Sequence, residues 1–138
     1  LERRTRGVAR LGSLVPQALL ERSLAGEGAL SRRINTVLED HDVLLTPATA
    51  VGPPPIGRLQ GRSALVTFNT VARWVPYYSV WNLTGQPAAS VPAGFATDGL
   101  PRAVQLVGRP NDEATLLSLA GQVESERPWA EQRPPGFS

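Results

Sequence analysis

Apolar residues recur every three to four positions at Val8, Leu11, Val15, Ala18, Leu19 and Leu20, which predicts helix over residues 3–25. Gly12 and Pro16 predict a break near its middle. Gly26-Glu27-Gly28 reads as a joint. A second helix is predicted from Ser31 to Glu39, with Leu30, Ile34, Val37 and Leu38 on one side and Asp40-His41 closing it. Asp42-Val43-Leu44-Leu45-Thr46-Pro47 is a short apolar run between polar and proline signals, as in a buried strand that ends at Pro47. Residues 48–63, with Gly52, Pro53-Pro54-Pro55, Gly57 and Gly61, form a long loop of the kind that is functional or covers something. Ala64 to Trp74 reads as helix, stopped or kinked by Pro76, and Asn82 to Pro87 as a turn-rich joint. From Ala88 to Phe95, Ala89, Val91 and Ala93 alternate with Ser90, Pro92 and Gly94, as a strand requires. Thr97-Asp98-Gly99-Leu100 carries the Asp-Gly hairpin signal, and Arg102 to Gly108 is the return strand. Asn111 is a good N-cap for a last helix, with Asp112 and Glu113 at its positive end. Leu116, Leu119, Ala120 and Val123 form its buried stripe, and it ends before Pro128. The final ten residues, with Trp129 and Pro134-Pro135, read as a tail over the surface.

The predicted class is therefore α/β, with about three short strands including a hairpin and about four helices. Three strands make a meagre sheet for an independent α/β domain, so further strands are expected from chain upstream.

Composition narrows the chemistry. Of 138 residues, fourteen are Arg, and there is no Lys, Cys or Met and a single His. Without Cys there is no disulfide framework, thiolate metal site or Cys nucleophile. Without Lys there is no Lys general base, Schiff base or P-loop lysine. No metal and no cofactor is expected. The chain begins Leu1-Glu2-Arg3-Arg4 with no secretory signal pattern. A piece of a longer, cytoplasmic polypeptide is the expectation. No apolar run approaches the ~20 residues of a membrane helix. Net charge is +2, with the excess in residues 1–33. The arginines there are not interleaved with aromatics, so a solvated or partner-facing surface is expected rather than nucleic-acid binding.

Trp74, Tyr77, Tyr78 and Trp81 lie within eight positions and make up half of the eight aromatics. His41 reads as a partner of a helix C-terminus, because no motif places a Ser or an acid beside it. Gln105 sits where it can hydrogen-bond across the sheet, and Asp112 reads as a helix-start acid. Pro53-Pro54-Pro55 is taken as a loop over the sheet edge in preference to a partner-binding polyproline segment. Asn82-Leu83-Thr84 matches a glycosylation sequon, but nothing else points to secretion.

Four separated segments are more distinctive than the rest. They are Asn82-Leu83-Thr84-Gly85-Gln86-Pro87-Ala88-Ala89-Ser90-Val91-Pro92-Ala93-Gly94, Gly99-Leu100-Pro101, Gln105-Leu106-Val107-Gly108-Arg109-Pro110 and Asp112-Glu113-Ala114-Thr115-Leu116-Leu117. In this order and spacing they resemble the C-terminal end of the amidase signature family. Asp42 to Pro47 resembles the strand before that family's long loop, and the resemblance covers roughly residues 28–133. It implies a large mixed sheet flanked by helices, with residues 1–138 a C-terminal fragment of a single amidase domain. Within it, 1–40 would be a helical lead-in, 41–63 a strand and Pro/Gly loop, and 64–138 a helix, hairpin, helix and tail.

The resemblance further implies hydrolysis of carboxylic amides, or ammonia transfer from them, by a Ser-cisSer-Lys triad. The Lys acts as base, the bridging Ser relays the proton and the second Ser attacks the carbonyl to form an acyl-enzyme. A Gly/Ser-rich loop supplies donors for the oxyanion. This sequence has none of these parts. It has no Lys, no adjacent serine pair and no Gly/Ser-rich loop, and its nine serines are isolated. No catalytic residue is assigned, and the triad is expected upstream. By analogy with the family, Trp74, Val75, Tyr77, Tyr78 and Trp81 are the candidates for substrate contact in the acyl pocket, with Tyr77 and Tyr78 ahead of the two Trp. Ordinary core packing is the competing reading. Glutamine-using members carry an acid about seven residues before the Asn, where this chain has Val75. That favours an apolar or aromatic acyl group over the catalytic component of a glutamine-dependent tRNA amidotransferase. The expected partners are the upstream portion of the same polypeptide and a small-molecule amide substrate, with no nucleic acid and no membrane, and a homodimer left open. A non-catalytic scaffold module is the alternative.

Overall fold

Between Phe95 and Pro101 the chain reverses because Asp98 and Gly99 suit the turn. Asp98 Oδ1 accepts from Leu100 N at 3.1 Å, Ala96 N donates to Leu100 O at 2.9 Å, and Gly99 takes φ +75°. The computed structural model describes residues 2–130 and Gln132. In chain order it contains α1 (Arg3–Gly12), α2 (Gln17–Asn35), a 3-10 turn (Thr36–Leu38), β1 (Val43–Pro47), α3 (Ala64–Trp74), α4 (Ser79–Thr84), β2 (Ala88–Phe95), β3 (Pro101–Gly108) and α5 (Glu113–Glu126). The class is α/β as expected. The sheet order is β1-β3-β2, and both pairings are antiparallel, so β3 is central.

The register divides the sheet into two unlike faces. Leu45 and Ala89 both pair with Leu106, and Val91 pairs with Val104, so these apolar side chains share one face. Helix α5 covers part of it. Val91, Leu106 and Leu116 are buried together, with Val43, Ala89, Val104, Leu119, Ala120 and Trp129 packed around them. Burying side chains of this size stabilises by about 1.5–3 kcal/mol each. The close approach of α5 to β3 depends on Gly108, where a Cβ would meet Leu116 Cγ at 3.2 Å. The opposite face carries a polar row, because Thr46 and Ser90 both pair with Gln105.

Three local expectations need correction. Gly26-Glu27-Gly28 is not a joint: α2 continues through it to Asn35. A helical glycine costs only about 1 kcal/mol relative to Ala, and no proline interrupts the segment. Asn82-Leu83-Thr84 is the end of α4 rather than a turn, and Gly85 closes that helix in the left-handed conformation at φ 69°. The N-cap of α5 is Asp112, not Asn111. Asp112 Oδ1 lies 3.4 Å from Thr115 N and 2.8 Å from Thr115 Oγ1, while Asn111 has φ 61°.

The expected helix break falls at residues 13–16, between α1 and α2. The apolar stripe across it is real but uncovered among the described residues, since Val8, Leu11, Val15, Leu19 and Leu20 are all exposed. Helix α3 shows Leu65, Val66 and Phe68 in the same way, and Leu45 on β1 is 62% exposed. Trp129 packs against the core, and Pro134-Pro135 lies outside the described residues. No helix of the described residues is long and apolar enough to cross a membrane.

Candidate functional site

The distinctive segments turn out to hold the elements together. Gln86 is 7% exposed, and its Nε2 donates to Asn35 Oδ1 at 3.0 Å and to Gly108 O at 3.4 Å. One amide thus joins the ends of α2, α4 and β3. Arg109 spans the joint between the 3-10 turn and β1. Its Nε donates to Leu38 O at 3.0 Å, its Nη2 donates to His41 O at 3.2 Å, and Nη2 lies 3.1 Å from Asp42 Oδ1. His41 Nδ1 is 3.2 Å from Val37 O, at the end of the preceding helical turn, and belongs to no group of three or more His, Asp or Glu placed to hold a metal ion among the described residues.

Gln105 occupies the centre of the polar face and is 3% exposed. Its Oε1 accepts from Trp81 Nε1 at 3.0 Å and from Thr46 Oγ1 at 3.2 Å. A central strand, an edge strand and a short helix therefore meet at one oxygen. The cross-sheet role expected of Gln105 is present, with an indole as an additional partner.

Beside this hub a cleft of about 740 Å³ opens over the sheet. Its floor is the end of β1 with Ser90, Ala103 and Val104, its roof is the loop from Ala48 to Pro54, and its wall is Trp74, Val75 and Tyr78. The Pro/Gly-rich loop is held in place at three points. Ala48 N donates to Ala103 O at 3.2 Å, Ala50 N donates to Trp74 O at 2.9 Å, and the Arg58 guanidinium lies 5.7 Å from the Trp74 ring centroid. Among the described residues Arg102 is the only charged side chain lining the cleft. It pairs at 3.5 Å with Asp98, and a Cβ on Gly52 would lie 3.2 Å from its Nη1.

The four aromatic candidates divide among three environments. Trp74 and Tyr78 line the large cleft. Tyr78 also lines a second recess of about 340 Å³, which it shares with Trp81. Trp81 is buried at 8% exposure with its N–H engaged. Tyr77 is exposed and lines neither cavity. Nothing in the sequence pattern marks Arg102 or Thr46 as residues of this region. Both are on strands whose ends meet only through the pairing of β1 with β3, and that pairing carries no local signal.

Among the described residues no group of three or more His, Asp or Glu side chains is placed to hold a metal ion. No Lys is available to activate a hydroxyl. What this arrangement can do is bind: it offers an apolar and aromatic wall over a polar sheet row.

The Amidase family model matches residues 2–117, and the chain belongs to that family. It is 56% identical over 134 residues to the protein named "Putative amidase AmiB2" of Mycobacterium tuberculosis (strain ATCC 25618 / H37Rv), covering 97% of this chain and 29% of that protein. Its fold is similar to that of 6-aminohexanoate cyclic dimer hydrolase, with a TM-score of 0.82, 25% identity, and coverage of 98% of this chain and 30% of that one. A component of the glutamyl-tRNA(Gln) amidotransferase from Thermotoga maritima is also similar, with a TM-score of 0.70, 27% identity, and coverage of 91% of this chain and 26% of that one. The chain thus spans less than a third of the length of these relatives.

Proposed function

We propose that the complete polypeptide hydrolyses carboxylic amides to the acid plus ammonia or an amine. The Ser-cisSer-Lys triad would lie upstream of this chain, which contributes scaffold and part of the acyl pocket. The observation that carries the reading is membership of the amidase family by a chain that spans under a third of its relatives and contains no Lys. The exposed apolar stripes of α1, α2 and α3 support it, because the remaining chain has a surface to cover.

In this reading the upstream Lys takes a proton through the bridging Ser, and the nucleophilic Ser adds to the amide carbonyl. Collapse of the tetrahedral adduct expels ammonia or amine, and water then releases the acid from the acyl-enzyme. Trp74 and Tyr78 receive the acyl group in the 740 Å³ cleft. Their rings supply contact area at small entropic cost.

The cleft favours an apolar or aromatic acyl group over glutamine. The α-ammonium of glutamine needs a carboxylate, and none lines the cleft among the described residues; Val75 stands on its wall. The experiment is ammonia release by the complete polypeptide from benzamide, hexanamide and glutamine, with the 138-residue chain assayed in parallel. Turnover of the first two, little from glutamine and none from the isolated chain is expected. A preference for glutamine refutes the substrate assignment. Turnover by the isolated chain refutes the placement of the triad.

A further inference from the structure

Arg102 is the one charged side chain that lines the large cleft among the described residues. It stands opposite an irregularity in β2. Pro92 pairs with Ala103 and Phe95 with Pro101, so Ala93 and Gly94 together face Arg102. Gly94 takes φ +90° there. A bulge of this kind bends its strand and re-aims the side chains beside it. The guanidinium ends against the roof of the cleft: a Cβ on Gly52 would lie 3.2 Å from Nη1, 3.6 Å from Nη2 and 3.8 Å from Cζ. A side chain at position 52 would push the charge away, so glycine is what lets the loop and the guanidinium meet.

Asp98 does not saturate this cation. Its Oδ2 is 3.5 Å from Nη2, longer than the about 2.7–2.9 Å of a charge-assisted hydrogen bond. Its Oδ1 accepts from Leu100 N and so serves the hairpin turn. The two side chains are 39% and 51% exposed, and an exposed pair of this kind contributes little. A guanidinium carries five N–H donors in a fixed fork, which leaves donors for a second carboxylate. Two of the hydroxyls on the cleft are engaged, Thr46 Oγ1 with Gln105 and Thr49 Oγ1 with Val51 O. A cation beside an apolar and aromatic wall fits a ligand that is apolar along its length and anionic at one end.

We propose that the preferred substrates are monoamides of dicarboxylic acids. The acyl chain lies along Trp74 and Tyr78, and Arg102 binds the terminal carboxylate. This rests on the amidase reading and narrows its substrate from an apolar acyl group to one with an anionic end. Glutamine remains a poor substrate: its carboxylate suits Arg102, but its α-ammonium is repelled by the same cation and meets no acid on the cleft among the described residues.

The test assays the complete polypeptide on adipic acid monoamide and hexanamide, which differ by a carboxylate in place of the terminal methyl. The monoamide is expected to have a kcat/KM about ten-fold higher or better, mainly through KM, the scale of one hydrogen bond to a charged group at a partly exposed site. The advantage shrinks in about 1 M salt. In Arg102→Leu the ratio of the two kcat/KM values falls to about one, and Arg102→Lys recovers part of it. The ratio cancels any general loss of fit, so a merely structural role of Arg102 would leave it unchanged. If the leucine variant does not fold, the wild-type ratio and its salt dependence decide alone. Equal values in the wild type, or a preference that survives Arg102→Leu, overturns the proposal. Calorimetric titration with the product acids, adipate and hexanoate, asks the same question without turnover, and adipate is expected to bind about ten-fold tighter. If neither amide is hydrolysed, the amidase reading fails and the adipate-to-hexanoate ratio decides the role of Arg102. If hexanamide is hydrolysed as well as adipic acid monoamide, the amidase reading stands and the role of Arg102 is refuted.

Discussion

The hydrogen bond between Trp81 and Gln105 lends itself to a double-mutant cycle. Gln105→Leu removes the acceptor of two donors. Trp81 is 8% exposed, so water cannot replace the lost partner of its N–H, which costs about 1–3 kcal/mol. Thr46 is half-buried at an edge strand and can turn its hydroxyl toward solvent, so its loss adds under about 1 kcal/mol. The apolar leucine recovers some of this, leaving a net cost of about 2–3 kcal/mol. Trp81→Phe removes the donor instead. Gln105 Oε1 keeps Thr46, so the hydrogen-bond loss is only about 1 kcal/mol. The smaller ring adds about 1 kcal/mol for the space it leaves. In the double variant no indole N–H remains to be stranded, and the largest single penalty disappears. The double variant should therefore be about 1–2 kcal/mol less destabilised than the sum of the single variants. Urea denaturation of the complete polypeptide, followed by circular dichroism, measures all four corners. Additivity within about 0.5 kcal/mol would refute the claim that this pair is coupled and that Gln105 joins the helix to the sheet.

Other perturbations probe the remaining contacts. Leu116→Ala empties the middle of the cluster with Val91 and Leu106 and should cost about 2–5 kcal/mol in the same denaturation assay. Gly108→Ala places a methyl 3.2 Å from Leu116 Cγ and 3.4 Å from Asp112 O, and should cost about 1–3 kcal/mol; Leu116→Ala in the same chain should recover part of it. Arg109→Ala unfastens the joint around His41 and should lower the melting temperature, with Lys restoring little because it cannot span Leu38 O, His41 O and Asp42 together. Tyr78→Ala should raise KM for benzamide several-fold with kcat less affected, whereas Tyr77→Ala, on the exposed side, should change neither.

Much of the fold is legible in the sequence because its signals are local. The alternation in Ala88–Phe95, the Asp98-Gly99 turn and the return strand predict a hairpin without reference to the rest of the chain. The Leu116, Leu119, Ala120 stripe likewise marks the buried side of α5. The mismatches are local as well, and each comes from giving one residue type too much weight. Two glycines in α2 suggest a joint, although flanking helix formers carry the helix through. Asn111 is the better cap by residue type, although Asp112 is the residue whose side chain reaches Thr115. The polar Asn82-Leu83-Thr84 suggests a turn, although Trp81, buried on the sheet, anchors a helix there.

The family can be recognised from one dimension, because the order and spacing of the Asn82, Gly99, Gln105 and Asp112 segments survive without knowledge of their contacts. The absence of a triad is equally plain, since a missing Lys is a matter of composition. The reason those segments are distinctive is not visible there. Gln86, Gln105 and Arg109 each bind groups brought together from distant parts of the chain; Thr46 and Gln105 are 59 positions apart. Side chains in the Trp74–Trp81 cluster that look interchangeable in sequence end up lining a cleft, buried against an amide, or in solvent. The difference arises because Trp74 ends α3, Tyr77 and Tyr78 lie in the turn that follows and Trp81 is on α4, so each meets different neighbours, and hydrogen bonds and burial depend on those neighbours rather than on spacing along the chain.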